Sequence, residues 1–117
     1  MQKSNKMRQI KFRTFYKDEN TLYRDVDISS ECLPIGDENV VIMQYTGLKD
    51  KNGKYIYEGD IVKNGSGAIC KAVWEPLFCA FWFIDGNGCN LEASNLYDCE
   101  IIGNVYQNSE LLESVEK

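Results

Sequence analysis

The sequence contains no histidine, only two prolines, and no C-x-x-C pair among its five cysteines. Without histidine the chain cannot form a Ser-His-Asp triad or a Cys-His pair, and it lacks the usual general base that titrates near neutral pH. An enzyme built on this chain would have to rely on carboxylates, lysine or tyrosine. We therefore predict no catalytic residues and no cofactor, and we expect the protein not to be an enzyme.

The cysteine spacing argues against a metal site, because zinc ligands usually come in close pairs. Four of the five cysteines lie nine or ten residues apart, about one strand plus one turn. That spacing is typical of small apolar side chains on successive strands, whereas disulfide scaffolds belong to small secreted proteins. We predict buried, unpaired thiols at Cys70, Cys79, Cys89 and Cys99, whereas Cys32 falls outside this spacing.

No apolar run approaches the roughly 20 residues that a transmembrane helix needs. The N-terminal stretch is polar and has no continuous apolar core of the kind that marks a signal peptide. We expect a cytoplasmic protein without a membrane partner. Its 117 residues predict one domain, with residues 1–6 as a flexible tail.

Charge is unevenly distributed along the chain. The net charge is −5, which disfavours a protein whose main affinity is for nucleic-acid phosphates, yet six of the 13 basic residues and no acid lie in residues 1–17. Such a segment can contact nucleic acid, or it can dock onto acidic surface of its own or a neighbouring subunit. The second interpretation is favoured because the acidic body would repel a polyanion. Lys11 and Arg13 also fit a solvated strand face.

Short β-branched and aromatic segments separated by glycine turns predict a mainly β fold. The densest region is Val40 to Val62, where Asn52-Gly53 predicts a two-residue type I′ hairpin turn and Gly59 predicts a bend. Asn64 to Gly67 predicts another hairpin tip. We expect a small SH3-like barrel with additional strands and a short C-terminal helix through Glu110, Leu111, Leu112 and Val115.

The segment from Leu77 to Ile84 is apolar at every position and is predicted to be one strand. An antiparallel strand with one solvated face would alternate between apolar and polar residues, and this one does not. Both of its faces should therefore be covered, which makes a subunit interface a fair hypothesis.

Two groups in the central region invite a chemical interpretation. Glu58 and Asp60 flank Gly59, but a bend there separates them, and Asp60 is better explained as a turn residue that accepts backbone N–H groups. Asp50 should likewise stabilise the Asn52-Gly53 turn. Three tyrosines (Tyr45, Tyr55, Tyr57) line the hairpin with Lys49, Lys51 and Lys54 near its tip, a pattern that single-strand-binding surfaces share with ordinary cross-strand pairing.

Residues 43–54 (MQYTGLKDKNGK), followed by 56–62 (IYEGDIV), closely resemble the hallmark segment of the YopX family. Residues 10–13 (IKFR), 102–106 (IGNVY), Asn108 and Glu110 to Leu112 extend the resemblance over nearly the whole chain. It implies a largely β fold with an SH3-like barrel and an origin in bacteriophages and prophages, and it brings no established activity. Phe15 stands where the family usually has Trp, and Ser29 to Asn39 follows no strong family pattern.

We therefore expect a small phage or prophage protein that acts by binding a protein partner or a second copy of itself. A small-molecule substrate is not indicated, and nucleic-acid binding through Lys3 to Lys17 is the alternative. The predicted interaction surface consists of Tyr45, Lys49, Lys51, Lys54, Tyr57, Phe78 and Trp82.

Overall fold

A computed structural model describes residues 10–26, 36–85 and 98–115 of the chain. In these ranges it has eight strands and one short helix. In chain order they are β1 (Phe12–Tyr16), β2 (Thr21–Val26), β3 (Val40–Lys49), β4 (Tyr55–Tyr57), β5 (Asp60–Lys63), β6 (Ile69–Glu75), β7 (Ala80–Asp85), β8 (Glu100–Asn104) and α1 (Glu110–Val115). The mainly β prediction and the C-terminal helix are confirmed. The predicted flexible tail at residues 1–6 lies outside the described residues.

The strands form two four-stranded antiparallel sheets, and one of them curls into a half-barrel. The first sheet has the order β2-β1-β3-β4, and the second has the order β7-β6-β5-β8. The main apolar core lies on the inner face of the second sheet. It consists of Ile56, Val62, Cys70, Ala72, Phe83 and Cys99, with Leu48 and Ile101 packed against it.

A buried ion pair joins the two sheets. The Arg13 Nη2 atom on β1 lies 2.8 Å from Asp60 Oδ1 at the start of β5, and the two side chains are 1% and 2% exposed. The Tyr57 N–H donates to the second Asp60 oxygen at 2.8 Å, and the Arg13 guanidinium lies over the Tyr57 ring. The prediction that Asp60 accepts backbone N–H groups is confirmed. The solvated strand face predicted for Arg13 is wrong, because the opposing sheet carries its counter-charge.

The bend at Gly59 is confirmed and is closely packed. Gly59 has φ +90°, and an added Cβ would lie 3.1 Å from Met43 Sδ and 3.2 Å from Tyr106 Cε2. Its N–H donates to the Ala72 C=O at 2.7 Å, and its C=O accepts the Val105 N–H at 2.8 Å. A side chain there would meet both strain and crowding, so only glycine suits this corner.

The turn at Asn52-Gly53 is a hairpin turn, but the predicted type I′ geometry is wrong. Gly53 has φ +82°, whereas Asn52 is not among the residues with positive φ. The Gly53 N–H donates to the Asp50 C=O at 3.0 Å and the Asp50 N–H to the Lys54 C=O at 2.9 Å. This is a longer loop, with a turn followed by a left-handed glycine. Asp50 Oδ1 accepts the N–H groups of Asn52 and Lys54, as predicted.

The hairpin tip at Asn64 repeats the same construction. The Gly67 N–H donates to the Asn64 C=O, and the Asn64 N–H donates to the Ala68 C=O. Asn64 Oδ1 accepts the N–H groups of Ser66 and Ala68. Unlike Asn64, Asp50 also forms a hydrogen bond to a second sheet: its second oxygen accepts the Ile101 N–H of β8 at 3.1 Å. A carboxylate can serve both sets of donors, which accounts for aspartate at the turn that contacts a second sheet.

Burial by itself would raise the pKa of the Asp50 carboxyl, but the N–H groups of Lys54, Ile101 and Asn52 more than offset it. The pKa of Asp50 therefore lies below its ordinary value of 3.8. A carboxyl whose pKa falls on folding stabilises the folded state above the unfolded pKa, and this contribution is lost as the pH drops through the folded pKa.

Asp60→Asn should lower the free energy of unfolding by about 3–5 kcal/mol, because it leaves the Arg13 charge buried without its counter-charge. Urea denaturation at neutral pH measures the change. The matched control is Glu100→Gln, which removes the exposed ion pair with Lys51 (3.7 Å) and should cost less than about 1 kcal/mol. Equal losses for the two variants would contradict a linking role for the buried pair.

Asp50→Asn should lower the free energy of unfolding at pH 7 by roughly 1–3 kcal/mol, because charged acceptors form the stronger hydrogen bonds. The deficit should shrink as the pH falls below the ordinary aspartate pKa of 3.8, where the wild type loses the same contribution. Denaturant titrations from pH 7 to pH 3 measure this, with Glu38→Gln at an exposed position as the control. A deficit that is constant with pH would contradict this role of the carboxylate.

Candidate functional site

Large apolar side chains are exposed around the β6–β7 hairpin. Leu77 is 86% exposed, Phe78 62% and Trp74 44%. Phe81 and Trp82 on β7 are half-buried beside them. We call the five residues Trp74, Leu77, Phe78, Phe81 and Trp82 the aromatic surface. A cluster of this kind on one hairpin is unlike the scattered single apolar residues found on most protein surfaces.

Ring contacts hold this surface in a defined shape. Phe78 stacks on Trp82 with centroids 4.8 Å apart, and Trp74 meets Phe81 edge-on at 5.0 Å. Trp74 and Phe81 are cross-strand partners in the β6–β7 ladder. Since alternate side chains point to opposite faces, Trp82 lies on the other face of the sheet from Phe81. The aromatic surface therefore wraps around the end of the hairpin.

The turn at 76–79 explains the exposure. The Phe78 N–H donates to the Glu75 C=O at 3.1 Å, and the Cys79 N–H donates to the Pro76 C=O at 3.3 Å. The predicted strand from Leu77 is therefore wrong at its start, because β7 begins only at Ala80. Pro76 is the signal for this turn, since proline cannot donate to a ladder and restricts the residue before it. Of the predicted strand, Phe83 is the buried residue of β7.

Two clefts share Trp74 as a lining residue, and the first of them lies between β3 and β6. The first, of about 280 Å³, is lined by Gln44 to Gly47, Trp74 and Cys79 to Phe81. The second, of about 240 Å³, is lined by Glu58, Gly59, Lys71 to Trp74, Val105 and Tyr106. Sequence reasoning missed this juxtaposition because β3 and β6 belong to different sheets.

The second cleft carries a carboxylate and an aromatic wall. Glu58 Oε1 accepts the Gln44 N–H at 3.4 Å. Tyr106 stacks on Phe15 with centroids 5.4 Å apart and remains partly exposed. Partial burial and the Glu58 charge raise the pKa of the Tyr106 hydroxyl. The phenol therefore stays neutral at physiological pH, and Glu58 supplies negative charge to this cleft.

Glu58 and Asp60 do not form an acid–base pair of the kind that the sequence suggested as an alternative. Asp60 is buried against Arg13, whereas Glu58 is half-buried and lines the second cleft. Nor does any cluster of three or more metal-ligating side chains occur within the described ranges. The same part of the chain has no helix long and apolar enough to cross a membrane.

The predicted hairpin surface divides into buried and exposed parts. Tyr45 and Tyr57 are core residues, so these two rings are not on the surface that the sequence predicted. Lys49, Lys51 and Lys54 are exposed. The Lys11 and Lys49 ammonium groups each lie 5.2 Å from the centre of the Tyr55 ring, which also contacts Tyr45. Lys11 is thus joined to the hairpin, at a ring that is largely covered.

The cysteine prediction is confirmed at two positions and wrong at a third. Cys70 and Cys99 are buried in the main core with free thiols. Cys79 is exposed in the turn beside the first cleft, with φ 49°. Cys32 and Cys89 lie outside the described residues.

The fold and the site define a class: an all-β protein of two antiparallel sheets, with paired clefts and an aromatic hairpin between them. Within that class the chain belongs to the YopX family, since the model of that family, described as YopX protein, matches residues 1–113. The resemblance carried by residues 43–62 is thereby confirmed. No curated protein matches the sequence.

A solved structure shares this architecture. The crystal structure of protein EF1440 from Enterococcus faecalis superposes with a TM-score of 0.67 at 24% sequence identity. The alignment covers 89% of this chain and 98% of that one. At this identity the similarity concerns the fold.

Cys79 should react with N-ethylmaleimide well before Cys70 and Cys99, because of these three thiols only that of Cys79 is exposed. Burial, with the neighbouring Cys99, raises the pKa of the Cys70 thiol to about 12, so its thiolate is scarce at pH 8. Peptide mass spectrometry after brief labelling, with and without denaturant, measures the order. Early labelling of Cys70 in the native protein would contradict this core.

Proposed function

We propose that the protein acts without catalysis, by binding another protein through the aromatic surface. The observation that carries the proposal is the adjacent exposure of Trp74, Leu77 and Phe78 on a hairpin whose rings are already packed. Burying a large apolar side chain contributes about 1.5–3 kcal/mol. Burying three such side chains therefore contributes favourably to the free energy of binding even after the cost of association is subtracted.

Preorganisation supports the same proposal. Phe78 is held by Trp82 and Trp74 by Phe81, so the rings lose little conformational freedom when a partner covers them. Aromatic side chains of this kind dominate protein–protein hot spots. The proposed partner is either a different protein or a second copy of this chain, and a phage or prophage origin, as the family resemblance implies, would be consistent with an encounter in a bacterial cytoplasm.

A second candidate function is nucleic-acid binding through the lysines around Tyr55. The observation that favours it is the convergence of Lys11 and Lys49 on one ring, with Lys51 and Lys54 on the same hairpin. Against it stand the net charge of −5 and the limited access to the Tyr55 ring, since single-strand binding draws on bases stacked on open aromatic faces. Sub-micromolar binding of a single-stranded oligonucleotide that weakens steeply with salt would favour this alternative.

A photocrosslinking amino acid in place of Phe78 tests the primary proposal in the cell that naturally makes the protein. We expect a discrete adduct, identified by mass spectrometry as one partner or as a second copy of the chain. The same crosslinker in place of Lys63, exposed on β5, is the matched control and should give no such adduct.

The purified partner then gives a dissociation constant by calorimetry, or light scattering gives one for self-association. Leu77→Ser combined with Phe78→Ser should weaken binding at least tenfold, whereas Lys63→Ser should change it less than twofold. A monomer at micromolar concentration that yields no adduct from position 78 above the Lys63 level would overturn the proposal.

A further inference from the structure

Strand β6 loses its neighbour part of the way along one edge. β5 pairs with β6 from Lys63↔Ile69 to Ile61↔Lys71, while β6 continues to Glu75. The last contact along this edge is the hydrogen bond from the Gly59 N–H to the Ala72 C=O at 2.7 Å. At Gly59 the chain turns away, and no further strand of the described ranges follows β6 on that side.

The backbone of Trp74 faces this opening. In a strand, the N–H and C=O of one residue point to the same side and those of the next residue to the other. The Ala72 C=O points to the β5 side, so the N–H and C=O of Trp74, two residues further on, do so as well. Val73 instead points towards β7, where its partner is Trp82. Within the described ranges, no residue donates to or accepts from the Trp74 backbone on the open side.

The two clefts share Trp74 as a lining residue and suit side chains better than whole small molecules. Their volumes, about 280 and 240 Å³, fall below the roughly 300–1,000 Å³ of typical small-molecule pockets. Trp74 lines both of them. An extended peptide directs alternate side chains to the same face at intervals of roughly 7 Å, which suits two small clefts that share one wall.

We propose that an extended segment of the partner protein adds as a strand beside Trp74 of β6, with an apolar side chain in the first cleft and an arginine or lysine facing Glu58 in the second. This inference rests on the proposed function and specifies its partner: a linear, strand-forming peptide with a basic residue. Main-chain hydrogen bonds give affinity in such strand addition, and pockets for alternate side chains give specificity.

The residues that line each cleft determine which type of peptide side chain it would accept. The residues that line the first cleft include Tyr45, Trp74 and Phe81, which favour an apolar group. The second contains the Glu58 carboxylate and the rings of Trp74 and Tyr106, which favour a cation through charge and through the ring faces. Lys71 also lines this cleft, but it is an odd-numbered residue of β6 and directs its side chain to the opposite face from Trp74. The net charge of −5 also favours a basic peptide.

A library of random twelve-residue peptides displayed on phage is the probe, selected against the full-length protein. We expect enriched sequences with alternating apolar residues and an arginine or lysine. Synthetic versions carrying one N-methylated amide at a time should lose affinity at least tenfold at the one position whose N–H donates to the Trp74 C=O, and less than twofold at the two flanking positions. A peptide bound as a helix would instead be sensitive at several consecutive positions.

Two further measurements locate the peptide. Glu58→Gln keeps the oxygen that accepts the Gln44 N–H. It should weaken the binding of peptides that carry a basic residue about three- to tenfold, and it should not change the binding of peptides in which that residue is replaced by alanine. In amide hydrogen exchange, the Trp74 N–H should be unprotected in the free protein and protected in the complex. The ladder-bonded Val73 N–H should be protected in both and serves as the internal control.

The outcomes separate this inference from the proposed function. Enriched peptides that respond to Phe78→Ser but have no single amide whose N-methylation abolishes binding would overturn strand addition and leave protein binding in place. A Trp74 amide already protected in the free protein, or a library that yields no binder while the Phe78 crosslink persists, would overturn the inference in the same way. The absence of the crosslink and of self-association would overturn the proposed function itself.

Discussion

The ion pair between Arg13 and Asp60 is the interaction on which the rest of the structure depends. A charge pair with almost no solvent exposure loses several kcal/mol of hydration per ion, and the loss is recovered only when further hydrogen bonds complete the pair. The protein supplies them from one short segment, since Asp60 accepts the Tyr57 N–H and Arg13 donates to the Glu58 C=O at 3.3 Å. Because the two charged residues belong to different sheets, this arrangement fixes how the sheets meet. It also holds residues 57 to 60 in one conformation, with Gly59 at its centre.

The candidate site is a consequence of the same constraint. The chain must turn sharply at Gly59 to bring Asp60 next to Arg13. Because of this turn, Gly59 makes one hydrogen bond to Ala72, and the chain then leaves the edge of β6. The second half of β6 therefore has no strand beside it, and the gap becomes the pair of clefts around Trp74. Glu58 is placed at the edge of that gap by the corner that buries Asp60. Asp60, which pairs with Arg13, and Glu58, which gives the second cleft its negative charge, thus lie on either side of Gly59.

Local features of this fold could be predicted from the sequence, and long-range ones could not. Gly59, the turns at Asp50 and Asn64, and the order of the strands follow from short-range chemistry that the sequence displays directly. The burial of Arg13 does not, because alternation along β1 shows only that Lys11, Arg13 and Phe15 share a face. Whether that face is exposed to solvent depends on Asp60, which lies 45 or more residues further along the chain. The same limit applies to Tyr45 and Tyr57, whose pattern fits either a surface or a core until the opposing sheet is known.

The fold limits the length of the exposed sheet edge beside the aromatic surface. An exposed sheet edge next to apolar side chains is a template for uncontrolled pairing, and proteins limit such edges by keeping them short or by interrupting them. Here the Gly59 corner bounds the open edge at one end. Pro76, which has no N–H to donate, bounds it at the other. Between these limits, the backbone N–H and C=O of Trp74 remain available for pairing. An edge that short cannot extend a sheet on its own, so a strand that binds there needs the clefts as well, and the requirement for matching side chains makes the site selective.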